Sequence, residues 1–256
     1  MKTIILKFGG ASVASPSHFS RIAEIVLATK RRFSRVVIVV SAMGETTDQL
    51  IRLAHEVNPN PPKREYDMLV SVGERISISL LAMALAAKGE NAVSFTGSQS
   101  GIITCSRHSE AKIIAMRPSR LEEALDRGKI VIVAGFQGVS VEKEITTLGR
   151  GGSDTTAVAL GVALGAECVA FYKDVLGIYT ADPKIDPDAK LMPHLTYQEC
   201  LTLLGPDAEV LHPRAVQLAM KNGIPLKVSS FLTEGGGTAI EAAEPRGREM
   251  VYEEAC

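Results

Sequence analysis

Short, β-branched apolar runs alternate with amphipathic stretches along most of this chain. TIILKF near the amino terminus, VVIVV at 36–40, AVSF at 92–95, KIVIVAGF at 129–136, CVAFY at 168–172 and IPLKVSS at 224–230 are short and almost continuously apolar. Such runs predict strands buried on both faces. Between them, Ala- and Leu-rich segments at 16–33, 70–89, 118–127, 154–165 and 213–222 predict helices. The alternation implies an α/β fold, with a mostly parallel sheet covered by helices on both sides. Ligands of such a sheet collect at the carboxyl ends of its strands.

The pattern is punctuated rather than divided. VNPNPPKRE at 57–65 is a Pro-rich loop ahead of a helix, and VSVEKE opens a polar, hairpin-like excursion. A soft boundary is expected there, near 140–145. After about residue 241 the alternation fades into EAAEPRGREMVYEEAC, which reads as a disordered tail or a terminal helix.

Composition adds mainly exclusions. Among 256 residues, 46% are hydrophobic, and 28 basic residues balance 29 acidic ones to a formal charge of −1. Without a run of like charge, neither a nucleic acid nor a membrane surface is an expected partner. Small molecules or copies of the chain itself, as in a homodimer, fit better. No cleavable leader and no uninterrupted apolar run of about 18 residues are present, so the expected location is cytoplasmic. Cys105, Cys168, Cys200 and Cys256 are widely spaced and lack a CxxC pair. They are expected to be small buried hydrophobes and one exposed tail thiol, with no disulfide or zinc framework.

Two glycine-rich turns carry the strongest chemical signal. Lys7-Phe8-Gly9-Gly10 follows the first strand, where glycines let the backbone approach a ligand and the next helix offers its amides. An anion suits that place, although the lysine precedes the glycines, unlike a P-loop. Leu148-Gly149-Arg150-Gly151-Gly152-Ser153-Asp154-Thr155-Thr156 says more. Arg150 offers a planar fork for a carboxylate, the glycines expose amides, and Asp154 stands near a helix start. A helix cap explains Asp154 alone but leaves the arginine unexplained.

Other segments admit two readings. Ser41 to Asp48 places hydroxyls and amides at a second strand end, beyond what capping requires. Glu74, in Gly73-Glu74-Arg75, either complements a helix dipole or meets a substrate ammonium group. Lys173 to Lys184 combines an aromatic ring, an apolar wall, acids and lysines, suited to a nucleotide or to a hairpin with Tyr179 packed at its edge. His212, in Leu211-His212-Pro213-Arg214, is read as a packed or capping residue.

Taken in order, KFGGASV, SAMGETTDQL, SVGERIS, SFTGSQSGIIT, TTLGRGGSDTTAVAL, DVLGIYTADPKIDPDAK and VLHPRAV resemble the motif set of aspartokinases, members of the amino-acid kinases, over about residues 3 to 240. The resemblance implies a three-layer αβα sandwich over 1–241, with an amino-acid-binding lobe (about 1–140), an ATP-binding lobe (about 141–241) and a tail at 242–256. It implies transfer of the γ-phosphoryl group of ATP to the side-chain carboxylate of L-aspartate, the first step toward lysine, threonine and methionine. Lys7 and Asp154 would be catalytic, with Phe8, Gly9 and Gly10 beside Lys7 at the phosphates. Ser41, Thr47, Glu74, Arg150 and Ser153 would hold aspartate. Lys173, Asp174, Tyr179, Asp182 and Lys184 match the nucleotide segment, and Mg²⁺ would accompany ATP without a dedicated set of protein ligands.

The chain departs from that pattern in places. Ala11 replaces a hydroxyl residue near the phosphates, with Ser12 beside it as the remaining hydroxyl. Lys173 stands where Thr or Ser is usual, and Glu209 where many relatives carry a lysine. The paired ACT modules usual in aspartokinases would start about where this sequence stops, so feedback by lysine or threonine is not expected of this polypeptide. Rival readings are a kinase for glutamate, N-acetylglutamate or uridylate, and a binding subunit with weakened catalysis.

Overall fold

The apolar runs form strands because each can bury alternate side chains in two different cores. In the computed structural model, which describes residues 1–183, 185–205, 210–233, 235–243, 250–254 and 256, β1 (Thr3–Phe8) lies between β2 (Arg35–Val40) and β9 (Cys168–Lys173). Ile5, Val37 and Val39 face one hydrophobic cluster, and Leu6, Phe8, Ile38 and Val40 face the other. This period of two is the pleat itself.

β6 (Ile130–Ala134) and β3 (Ala92–Phe95) extend the sheet on one side. β11 (Leu226–Ser230), β12 (Thr238–Glu241) and β10 (His194–Thr196) extend it on the other, giving eight strands in the order β10-β12-β11-β9-β1-β2-β6-β3. Every pairing is parallel except β11 with β12. Helices α1 (Pro16–Lys30) and α4 (Val72–Ala87) cover one face. α5 (Ser119–Asp126), α6 (Gly152–Ala163) and α8 (Pro213–Asn222) cover the other, with α6 buried along nearly its whole length. The expected α/β sandwich is thus present.

Some elements escaped the sequence pattern. A second, four-stranded sheet joins β5 (Ile113–Met116), β4 (Ile102–Thr104), β7 (Gln137–Ser140) and β8 (Ile145–Thr147). Its last two strands are the hairpin expected near 140–145. Helix α7 (Tyr197–Leu203), after β10, was also missed, whereas α2 (Thr46–Val57) and α3 (Lys63–Val70) flank the Pro-rich loop as expected. The stretch Lys63–Ala87 is long and apolar enough to cross a membrane by length and composition. Yet Ile78, Leu81 and Leu85 are spent in the core, and Asp67 and Glu74 are buried along it.

The tail corrects two expectations. Residues 250–254 form neither a helix nor a loose end: the Val251 amide donates to Asn222 Oδ1 at 2.8 Å, and the Glu253 amide to the Ile113 carbonyl at 3.0 Å. This strap crosses α8 and β5 and brings Cys256 to Cys105, with which it forms a disulfide across a Cα separation of 6.1 Å. Wide spacing in sequence hid a pair that the folded sheet brings together. Cys168 and Cys200 remain free.

Candidate active site

The carboxyl ends of β1, β2 and β6 and the start of α6 converge on a cleft of about 330 Å³. Two loops close its floor. Gly10 heads a short 3₁₀ turn, Gly10–Val13, and its carbonyl accepts the Gly44 amide at 3.3 Å. A side chain at Gly10 would stand 3.3 Å from the Ala42 carbonyl, so glycine lets the two loops approach without crowding.

Lys7, at the end of β1, meets Asp154 in the first turn of α6, Nζ to Oδ1 at 2.6 Å. Lys173, at the end of β9, reaches the other oxygen of Asp154 at 3.7 Å, and the His212 amide donates to it at 3.4 Å. Burial would raise the Asp154 pKa, but the two lysines and their hydrogen bonding hold it at about 2. Lys173 is pushed down to about 8 by burial and by the neighbouring charge of Lys7. The cluster holds two cations against one carboxylate, an excess of positive charge that suits a phosphate-bearing ligand.

Glu74 brings a buried carboxyl group into the same cleft. One oxygen accepts the Ala42 amide at 3.1 Å, while Oε2 is buried with no hydrogen-bond partner. Burial lifts its pKa to about 8, against the backbone hydrogen bonds and the charge of Lys7. A buried acceptor left without a donor is costly, and an entering cation would satisfy it.

The loop between β8 and α6 carries the remaining polar groups. Gly149 and Gly151 have φ of 71° and 68°, and a Cβ on Gly151 would collide with the His212 ring at 2.1 Å. Between them Arg150 is exposed, lines the cleft and makes no ion pair with a described residue. Ser41, Thr47 and Ser153 line the same cleft. All five residues expected to hold the amino acid therefore share one cavity with Lys7 and Asp154.

The nucleotide segment is more dispersed. Lys173 joins the cluster, whereas Asp174, Tyr179 and Asp182 do not line the cleft. Tyr179 bridges to Leu191 in an antiparallel turn back, and the Asp182 carbonyl accepts the Ile185 and Asp186 amides. Lys184 and Glu209 lie outside the described residues. Gly9 is within contact distance of Lys7, since a Cβ there would stand 3.6 Å from its Nζ. The Phe8 ring is fully buried and stacks on Tyr172 at 4.8 Å, and its carbonyl accepts the Ser41 amide at 3.2 Å, so the residue serves the sheet and the loop after β2. The Ser12 hydroxyl donates to the Tyr172 carbonyl at 3.2 Å, so it ties the turn to β9 instead of standing in for the hydroxyl missing at Ala11.

Phe136, passed over in the sequence, lines the cleft with φ of 68°. His212 caps α8 as expected, accepting the Arg214 amide at its Nδ1, and also lines the cleft, which the sequence did not suggest. No cluster of three or more His, Cys, Asp or Glu side chains able to hold a metal occurs among the described residues.

Comparison with known proteins agrees with this geometry. Residues 2–230 match the amino acid kinase family. Aspartokinases of Corynebacterium efficiens and Mycobacterium tuberculosis are each 50% identical over 241 residues, 94% of this chain and 57% of theirs. The chain thus spans little more than half the length of these relatives. The crystal structure of aspartate kinase from Synechocystis superposes with a TM-score of 0.88 at 45% identity, over 98% of this chain and 42% of that one. Aspartokinase III of E. coli, in complex with aspartate and ADP, superposes at 0.85 and 28% identity, over 95% of this chain and 65% of that one. With the match running from the start of β1 to the end of β11, the chain belongs to the amino acid kinase family.

Proposed function

We propose that the chain is the catalytic unit of an aspartokinase, moving the γ-phosphoryl group of ATP to the side-chain carboxylate of L-aspartate to give 4-phospho-L-aspartate and ADP. The observation that carries this reading is the unpartnered, buried Oε2 of Glu74 in one cleft with Arg150 and the lysine-rich cluster around Asp154. An acceptor with a free ammonium group and two carboxylates fits those three features. The similarity to an aspartokinase that binds aspartate and ADP supports the same pairing of ligands.

Phosphoryl transfer here needs little proton chemistry. An aspartate carboxylate is already ionised at neutral pH, so no base has to activate it, and catalysis rests on positioning and charge stabilisation. In this reading Glu74 binds the ammonium group and Arg150 a carboxylate, with Ser41, Thr47 and Ser153 completing the shell. Lys7 lies against the transferring phosphoryl oxygens, with Lys173 beside it, and Asp154 keeps both lysines charged and oriented. Gly9 and Gly10 let the phosphates approach the backbone. Asp174, Tyr179, Asp182 and Lys184 are assigned to the nucleotide, in a carboxyl-terminal lobe of about 141–241 facing an amino-acid-binding lobe of about 1–140.

Mg²⁺ suits this donor set as an ion carried on the nucleotide. Asp154 is engaged by Lys7 and Lys173, so the phosphate oxygens of ATP would be its principal ligands. When bound, it would neutralise phosphate charge. A coupled ADP-release assay with aspartate, glutamate and N-acetylglutamate tests the reading. Activity with aspartate alone is expected. Tight binding of ATP and aspartate without aspartate-dependent ADP release would identify a binding subunit instead.

A further inference from the structure

Asp67, in the middle of α3, is fully buried and takes no part in the site just described. Among the described residues neither lysine nor arginine pairs with it; His108 makes a hydrogen bond to it, Nδ1 to Oδ2 at 2.8 Å. Its other donors come from two short segments. Thr147 gives its amide at 3.1 Å and its hydroxyl at 2.6 Å, and Ser109 gives its amide at 3.0 and 3.1 Å and its hydroxyl at 3.4 Å. A buried carboxylate without a strong cation is expensive and survives only where donors converge on it.

Those donors bracket the loop that carries Arg150. Thr147 is the last residue of β8, and Leu148 and Gly149 are all that separate it from Arg150. Ser109 is held at φ of 69°, and its carbonyl stands 3.1 Å from where a Cβ on Gly149 would lie. Asp67 therefore fixes both the strand end from which the loop leaves and the wall against which Gly149 turns. The loop's next anchors are the Leu148 amide on the Phe136 carbonyl at 2.9 Å and Arg214 Nη1 on the Leu148 carbonyl at 2.5 Å. Arg150 has no ion pair of its own among the described residues, so its reach is set by these main-chain anchors.

We propose that Asp67 is the positioning residue for Arg150, holding the glycine-rich loop through Thr147 and Ser109 so that the guanidinium meets an anionic group in the cleft. The identity of that group as a carboxylate of aspartate rests on the function proposed above; the anchoring of the loop does not.

Asp67→Asn keeps the volume but turns one acceptor into a donor facing the Thr147 and Ser109 amides. The aspartate KM should rise by about tenfold or more, while the ATP KM stays within about twofold, because a displaced positioning element costs binding only where it acts. In an Arg150→Gln background the same substitution should change the aspartate KM by less than about twofold, since both changes remove one contact. Equal losses in both backgrounds, or equal losses for both substrates, would overturn the proposal. Thr147→Val carries the same expectation with a smaller effect and serves if Asp67→Asn does not fold. Amide hydrogen exchange supplies a readout independent of activity: residues 147–152 should exchange faster in Asp67→Asn, and unchanged exchange there sinks the anchoring role. Wild-type protein without aspartate-dependent ADP release would refute only the reaction assignment.

Discussion

Lys7 and Asp154 join the end of the first strand to the first turn of α6 through one ion pair of 2.6 Å, with 5% and 7% of their side chains exposed. A buried pair of this kind is weak evidence for stability, since desolvation offsets much of its attraction. In the proposed reaction its geometry serves as preorganisation: a charged lysine would be held, without rearrangement, where negative charge develops.

Lys7→Ala therefore tests the chemistry more than the fold. Turnover should fall by about 100- to 1000-fold, in line with the loss of one charge-stabilising donor, while the aspartate KM changes by less than about threefold. Steady-state kinetics with varied aspartate and varied ATP separate the two effects. Near-wild-type turnover would remove Lys7 from the mechanism.

Glu74 gives a pH signature with a definite sign. Its pKa of about 8 leaves it protonated at neutral pH in the free protein, and an ammonium group favours the ionised form. Binding aspartate should then release a proton, so the apparent KM falls as pH rises from roughly 6 and levels above about 8. Glu74→Gln should abolish that slope and weaken aspartate by about 10- to 100-fold, the worth of a buried charge-assisted hydrogen bond. A sloping KM profile that persists in Glu74→Gln would assign the titration to another group.

The legibility of this site followed the range of the interactions. Lys7, Gly9, Gly10, Arg150 and Asp154 stood out because glycine-rich turns after strands are local patterns. The αβα layering was equally readable, since period-two burial in β1, β2 and β6 is written in consecutive residues. Asp67 was invisible because its partners, Ser109 and Thr147, lie 42 and 80 positions away and its own surroundings read as an ordinary helix face. The same holds for Cys105 and Cys256, which are 151 positions apart. Ser12 shows the converse failure: a hydroxyl beside the first glycine turn looked available, and the fold engages it with the Tyr172 carbonyl.

Lys173 supplies the opposite pH limb. Burial and the charge of Lys7 bring its pKa to about 8, so it loses its proton just above neutrality, while Asp154 at about 2 stays ionised throughout. If the second lysine stabilises the transferring phosphoryl group, kcat/KM for ATP should decline as pH rises through about 8, because that ratio reports the free protein's ionisations. Lys173→Met should lower kcat by about 10- to 100-fold at pH 7, less than Lys7→Ala because its nitrogen stands farther from Asp154, and should leave a profile without that alkaline limb. A limb that survives the substitution belongs to a different group.

Gly151 separates backbone strain from crowding at the loop's closest contact. Its φ of 68° disfavours any L side chain, and a Cβ would lie 2.1 Å from His212 Cγ. Gly151→Ala should cost at least about 2 kcal/mol, since overpacking and left-handed strain add. Because the His212 amide also binds Asp154, the shift that relieves the clash should disturb the lysine cluster and lower kcat as well. Adding His212→Gly removes both the ring and the Cβ, which would lie 2.1 and 2.4 Å from the new methyl group, leaving a deficit near the roughly 1 kcal/mol of the backbone alone, measured against the His212→Gly single variant. Urea unfolding of the four proteins in this cycle measures both contributions. If the cost of Gly151→Ala is the same with and without the His212 side chain, strain alone explains the glycine and that side chain has no part in shaping the loop.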